Sequence, residues 1–173
     1  MIRFILPDLR RLENSPTDGL VFYRFQELVP FKGASSLVDW RLHGHLSRMV
    51  IDGFFDGSRG TPLLMPLGRF LPQQYLLILG LGPVDEFDQA VFEKSIEKTF
   101  QIAKGLMLST LTLALPGRVE GACEGADAIE WLINVYSDEA DMKEMVIVEP
   151  AAEQKAMLPA VERWRLRSLV PGA

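Results

Sequence analysis

Between the paired amides Gln73-Gln74 and the glycine at position 80, the chain runs Tyr75-Leu76-Leu77-Ile78-Leu79 without a polar interruption. So short a run does not make a buried helix, and it lacks the alternation of a strand with one wet face. It predicts a strand covered on both faces, as in a largely parallel sheet lying between helices. Parallel strands need long crossover connections, and the rest of the chain supplies them. Met1 to Leu6 and Leu20 to Phe25 read as strands, joined by a loop in which Asn14-Ser15-Pro16-Thr17-Asp18-Gly19 concentrates turn formers. Pro30-Phe31-Lys32-Gly33 is a break. Ser36-x-x-Asp39 then has the form of a capping box, and Val38, Leu42, Leu46, Met49 and Val50 share one helical face that Gly53 ends.

Further strands are expected at Pro62 to Leu67, Thr110 to Leu115 and Met145 to Val148. Gly80-Leu81-Gly82-Pro83 reads as a turn, after which Asp85 or a neighbour caps a long helix carrying Phe87, Val91, Phe92, Ile96, Phe100 and Ala103 on its apolar side. Helices follow over Ala126 to Tyr136 and Ala151 to Leu169, the last with Arg163, Arg165 and Arg167 placed favourably at its negative pole. Strands alternating with helices from residue 62 onward mean one α/β domain over residues 1–173, with a mainly parallel sheet.

The 173 residues, 48% hydrophobic and 24% charged, suffice for one domain with a real core. A net charge of −5 argues against a nucleic-acid binder, which needs a basic face to displace counterions. The single cysteine, Cys123, excludes an internal disulfide and a multi-thiolate metal site, and reads as a bystander thiol. The start, Met1-Ile2-Arg3-Phe4-Ile5-Leu6-Pro7, has no apolar leader, and the run Tyr75 to Leu81 is far short of the roughly 20 residues that span a bilayer. A soluble, cytoplasmic protein without membrane contact is expected.

Few residues point to chemistry. Gly80-Leu81-Gly82 stands between a strand and a helix, where backbone N–H groups hold anions. Asp85, however, occupies the place of the third glycine in a dinucleotide fingerprint and would repel phosphate, so a tight turn is the simpler reading. His43 and His45 point roughly 200° apart on a regular helix and cannot chelate one ion from it. Ser35, Ser36 and Ser58 read as cap or turn residues, with no nucleophile elbow around them. The carboxylates Glu120, Glu124, Asp127, Glu130, Asp138, Glu139, Asp141, Glu144 and Glu149 lack a metal-binding register and read as solvated helix faces and turns. Arg41 and Arg48 are expected to pair with Asp39 or Asp52. No cofactor is called for.

Leu20-Val21-Phe22, the stretch Gly33-Ala34-Ser35-Ser36-Leu37-Val38-Asp39-Trp40-Arg41, Thr61-Pro62-Leu63-Leu64-Met65-Pro66, and Leu76 to Gly82 together resemble the N-terminal domain of the M17 leucyl aminopeptidases. Thr112-Leu113-Ala114-Leu115-Pro116-Gly117-Arg118 looks like that domain's next strand, and Gly125-Ala126-Asp127-Ala128 like its following helix. The resemblance covers most of residues 1–150. It implies a macro-domain-like, three-layer α/β/α sandwich with a mixed, mainly parallel sheet. In that family the two metal ions and the peptidase chemistry belong to a separate C-terminal domain, whose Asn-Thr-Asp-Ala-Glu-Gly-Arg signature has no counterpart in these residues. The expectation is therefore a non-catalytic domain acting through protein contacts, as a homo-oligomer or with another polypeptide. The alternative is a small-molecule module whose macro-like crevice takes ADP-ribose or a related nucleotide. Ligands of open α/β sheets lie beyond the carboxyl ends of strands, which makes Gly33, Ala34, Ser35, Ser36, Gly80 and Gly82 the candidate binding residues, on the expectation that the two segments meet.

Overall fold

A computed structural model describes residues 1–27, 30–137 and 141–168. Asp138 and Glu139 of the acidic stretch, and Leu169 at the end of the expected last helix, lie outside the described residues. The strands are β1 (Ile2–Ile5), β2 (Gly19–Phe25), β3 (Pro62–Pro66), β4 (Tyr75–Gly82), β5 (Thr110–Leu113) and β6 (Glu144–Val148). The α-helices are α1 (Leu9–Glu13), α2 (Ala34–Arg41), α3 (His45–Ile51), α4 (Gln89–Gly105), α5 (Gly125–Tyr136) and α6 (Ala151–Ser168). They build one six-stranded sheet in the order β1-β6-β5-β2-β4-β3. All neighbours are parallel except β3, which returns antiparallel along the edge of β4.

The apolar run that suggested a doubly covered strand is such a strand. Leu76 and Ile78 sink into one core with Leu12, Phe22, Val38 and Leu46, beneath α1, α2 and α3. Leu77 sinks into the other with Phe92, Ile96, Leu132 and Met157, beneath α4, α5 and α6. The fold is thus the expected α/β/α sandwich with a mixed, mostly parallel sheet. No helix among the described residues is long and apolar enough to cross a membrane.

Several local expectations are corrected by side chains acting over longer range. The loop after β1 contains α1, whose start is capped where Asp8 Oδ1 accepts from the Arg11 N–H at 3.2 Å. The single helix expected over residues 36–50 is two helices, because His43 and Gly44 take left-handed conformations, with φ of 57° and 73°. Asp39 does not close a capping box with Ser36. Its Oδ1 accepts from the N–H groups of Leu46 and Ser47 at 2.9 and 3.1 Å, and its Oδ2 accepts from the Ser47 hydroxyl, so it caps α3 across the break. The long helix α4 is capped by Asp88, whose Oδ1 accepts from the Val91 N–H at 2.8 Å, while Asp85 sits in a single 3-10 turn over Val84–Glu86.

Gly80-Leu81-Gly82 is strand rather than turn. The Gly80 N–H donates to the Thr61 carbonyl at 2.9 Å, its carbonyl accepts from the Gly60 N–H at 2.8 Å, and the Gly82 N–H donates to the Gly57 carbonyl at 2.9 Å. A Cβ on Gly80 would run into the backbone of Gly57 and Ser58. That glycine serves the close approach of a neighbouring chain segment.

Candidate functional site

Parallel strands bring their carboxyl ends to one edge of the sheet, where the following helices begin, and ligands of such folds collect there. At the ends of β1, β5 and β6 this edge encloses a cleft of about 670 Å3. One wall is the start of α2, with Lys32, Gly33 and Ala34. The opposite wall is the end of β6 and the first turn of α6, with Glu149, Pro150 and Glu153. The turn after β5 crosses between them and contributes Arg118, Val119, Glu120 and Gly121.

The α2 wall is electropositive by construction. Gly33, at the N-cap, has φ 58° and no side chain to offer the first helical N–H groups. The two serines that follow do not substitute for one. The Ser35 hydroxyl donates to the Lys32 carbonyl and the Ser36 hydroxyl donates to the Gly33 carbonyl, both at 2.7 Å. The helix start therefore presents its dipole toward the cleft without a side-chain cap, beside the Lys32 ammonium. Val119 rests against Gly33, where an added Cβ would lie 3.3 Å from both Val119 γ-carbons.

The opposite wall is a charge network. Arg118 donates from Nε to Glu149 Oε1 at 3.1 Å, from Nη1 to the Cys123 carbonyl at 2.6 Å, and from Nη2 to Glu153. Glu149 is only 3% exposed. Burial pushes its carboxyl above the ordinary range, and the adjacent Arg118 only partly opposes this. Burial likewise pushes the Cys123 thiol up to about 11, so it is a protonated thiol at neutral pH rather than a nucleophile. Burial also raises the Glu120 carboxyl, against the pull of Lys32 and Arg24.

Of the residues expected to bind a ligand, Gly33 and Ala34 line the cleft. Ser35 is buried beneath it, beside a void of about 20 Å3 shared with Lys32 and Glu120, and Ser36 is half-buried on the outer side of the helix start. Gly80 and Gly82 do not meet them. They lie in β4, beyond β2 from the cleft, with their backbones paired to the segment around Gly57 and Gly60. Glu149 is not a solvated carboxylate. Nor do Arg41 and Arg48 pair with Asp39 or Asp52: Arg41 pairs with Glu13 at 3.3 Å, and Arg48 donates to the His43 carbonyl at 3.2 Å. Among the described residues no group of three or more His, Cys, Asp or Glu side chains is arranged to hold a metal ion. The sequence reading missed Lys32, Arg118 and Glu153. One signal for the cluster was present, a carboxylate directly after an apolar strand and before Pro150, which places an acid at a strand's carboxyl end.

The cytosol aminopeptidase family, N-terminal domain, matches residues 21–136. A probable cytosol aminopeptidase of Thermosynechococcus vestitus is 34% identical over 92 residues, covering 53% of this chain and 18% of the relative. Another from Synechocystis is 29% identical over 101 residues, covering 58% and 20%. The chain thus spans about a fifth of the length of the curated relatives it matches. Among solved structures, a mutant tomato leucine aminopeptidase has a TM-score of 0.62 at 13% identity, covering 95% of this chain and 36% of that one. The macrodomain of Mycobacterium tuberculosis DarG has a TM-score of 0.68 at 14% identity, covering 86% and 98%. A Trypanosoma brucei macrodomain in complex with ADP has a TM-score of 0.69 at 14% identity, covering 92% and 67%. By its fold the chain is macrodomain-like, and by its sequence it belongs to the N-terminal-domain family of the cytosol aminopeptidases.

Proposed function

We propose that this domain is a non-catalytic binding module of the cytoplasm whose cleft takes a small anionic molecule of the nucleotide class, with ADP-ribose the first to test. One observation carries the reading. An uncapped helix start and Lys32 face the carboxylates Glu149 and Glu153 across a cleft of about 670 Å3. The first wall suits phosphate oxygens, and on the second the more exposed Glu153 accepts hydrogen bonds from sugar hydroxyls. The macrodomain-like fold supports the choice, since the similar Trypanosoma brucei domain was solved with ADP. A non-catalytic role agrees with a thiol held protonated and a buried carboxylate already engaged by Arg118. Peptidase activity is left with the relatives, which this chain matches over about a fifth of their length.

Titration calorimetry tests the reading. ADP-ribose binding with saturable heat, together with a melting temperature that rises as ln(1+[L]/Kd), is the expected result. No heat at millimolar ADP-ribose overturns it.

A second reading, contact with another polypeptide or with a second copy, has its own observation. The α2–α3 segment leaves Trp40, Ile51 and Phe54 exposed by 73, 74 and 80%. Phe54 borders a shallow hollow of about 310 Å3 with His45, Met49 and Asp52. Exposed apolar side chains of this size are common at interfaces. Light scattering that gives a dimer sensitive to Phe54→Ser supports it for self-association. A monomer across the concentration range overturns that form.

A further inference from the structure

Gly125 opens α5 at a position where the backbone does not call for glycine. Its φ lies outside the left-handed region that favours that residue, and alanine is the better helix former. What the missing side chain makes room for is the far wall of the cleft. A Cβ at Gly125 would lie 2.8 Å from Glu153 Oε2, inside van der Waals contact, and 3.3 Å from Arg118 Nη2.

Those two groups form an arm that ends in the cleft. The Arg118 side chain is 10% exposed and already donates to Glu149 Oε1 and to the Cys123 carbonyl, so its Nη2 is a donor fixed in place. Glu153 accepts that donor on Oε2, and its Oε1 takes no hydrogen bond among the described residues. The Glu153 side chain is 39% exposed and lines the cleft. A carboxylate clamped by one oxygen turns the other in a set direction, with two lone pairs for incoming donors. The neighbouring hydroxyls of a ribose ring are such a pair of donors, and carboxylates hold ribose hydroxyls in dinucleotide-binding folds.

We propose that Glu153 selects ribose over deoxyribose in the cleft, and that Arg118 and Gly125 are positioning residues that act through its carboxylate. This deepens the reading of the cleft as a nucleotide site and rests on it. The two walls then divide the ligand, with phosphate at Lys32 and the start of α2 and the uncharged sugar at Glu153.

The test is calorimetry on the whole chain with ADP-ribose, inorganic pyrophosphate, ribose 5-phosphate and 2-deoxyribose 5-phosphate, alongside melting temperatures. The wild type is expected to bind ribose 5-phosphate about tenfold more tightly than its deoxy counterpart. Glu153→Ala is expected to erase that preference and to weaken ADP-ribose by about tenfold, with pyrophosphate unchanged or tighter. Gly125→Ala pushes only on the flexible ends of side chains. It is expected to weaken ADP-ribose several-fold with the melting temperature unchanged or raised, and to add nothing to the effect of Glu153→Ala. If Gly125→Ala does not fold, Arg118→Lys, which replaces the fork by a point charge, must weaken ADP-ribose and likewise add nothing. ADP-ribose affinity and a pentose preference that survive Glu153→Ala overturn this proposal and leave the cleft reading standing. Losses that add to those of Glu153→Ala overturn the positioning roles. A pentose preference that depends on Glu153, without ADP-ribose binding, supports this proposal and overturns the choice of ADP-ribose. No binding of any probe to the wild type overturns both.

Discussion

Gly33 and Gly80 each stand close to the start or end of a strand–helix connection, yet the backbone around them is used in opposite ways. At Gly80 the backbone N–H and carbonyl pair with Thr61 and Gly60, and the missing side chain makes room for that segment. At Gly33 the missing side chain leaves a helix start uncapped beside a cleft. One glycine closes a seam and the other borders an open cleft. A glycine in a sequence reports a close approach or an unusual backbone angle, and it does not report whether the approaching partner is the chain itself or a ligand.

The contrast can be broken most forcefully at the cleft's far wall. Arg118→Ala leaves Glu149 buried with its charge unpaired, and should cost about 3–5 kcal/mol in urea denaturation. A loss below about 1 kcal/mol would show that the Arg118 network is not structural, and that only ligand contacts keep it. Gly80→Ala forces a methyl group into backbone and should cost about 1–3 kcal/mol, with ligand affinity unchanged below the melting transition. If Gly80→Ala is neutral in stability but impairs binding, the seam and the site have been assigned the wrong way round.

Gly33→Ala is the matching substitution. Its φ of 58° with ψ of −140° is a backbone region kept almost entirely by glycine and strains an alanine by about 1–3 kcal/mol, and its Cβ presses on Val119 at the cleft edge. It should therefore weaken ADP-ribose binding in calorimetry as well as lower the melting temperature. An unchanged dissociation constant would separate the helix start from the ligand site.

The smallest effect belongs to a control at the opposite end of the sheet. Burial alone would raise the Asp18 carboxyl, but N–H groups of Ser109 and Thr110 donate to it at 2.8 and 2.9 Å, and it is held below its ordinary value. A depressed carboxylate stabilises the fold above the unfolded pKa of roughly 3.9 and loses that contribution as pH falls through its folded value. Asp18→Asn should cost about 1 kcal/mol at pH 7. The difference from wild type should shrink under acid, and ligand affinity should not move. A gap that persists at pH 2 would mean that the asparagine fails for reasons of shape rather than charge.

Much of the architecture was legible along the chain because it depends on neighbours a few residues apart. The run Tyr75 to Leu79 announced a central strand, and the spacing of Phe92, Ile96 and Phe100 announced the inner face of α4. The Asp8 cap and the break at His43-Gly44 were not legible, since each competes closely with an alternative of similar local propensity and packing decides between them. The candidate site was legible only at Gly33 and Ala34. Arg118 and Glu149 are 31 residues apart and look like two charges among many until β5 and β6 lie side by side.

The sequence by itself determined the class of fold, the central strand and the family, because apolar periodicity and short motifs are properties of local order. Only the tertiary structure decided which carboxylate is buried, which arginine bridges two carboxylates and which glycine faces a cleft. Those are properties of desolvation and proximity, and both are set by segments that the chain brings together only when the sheet is complete.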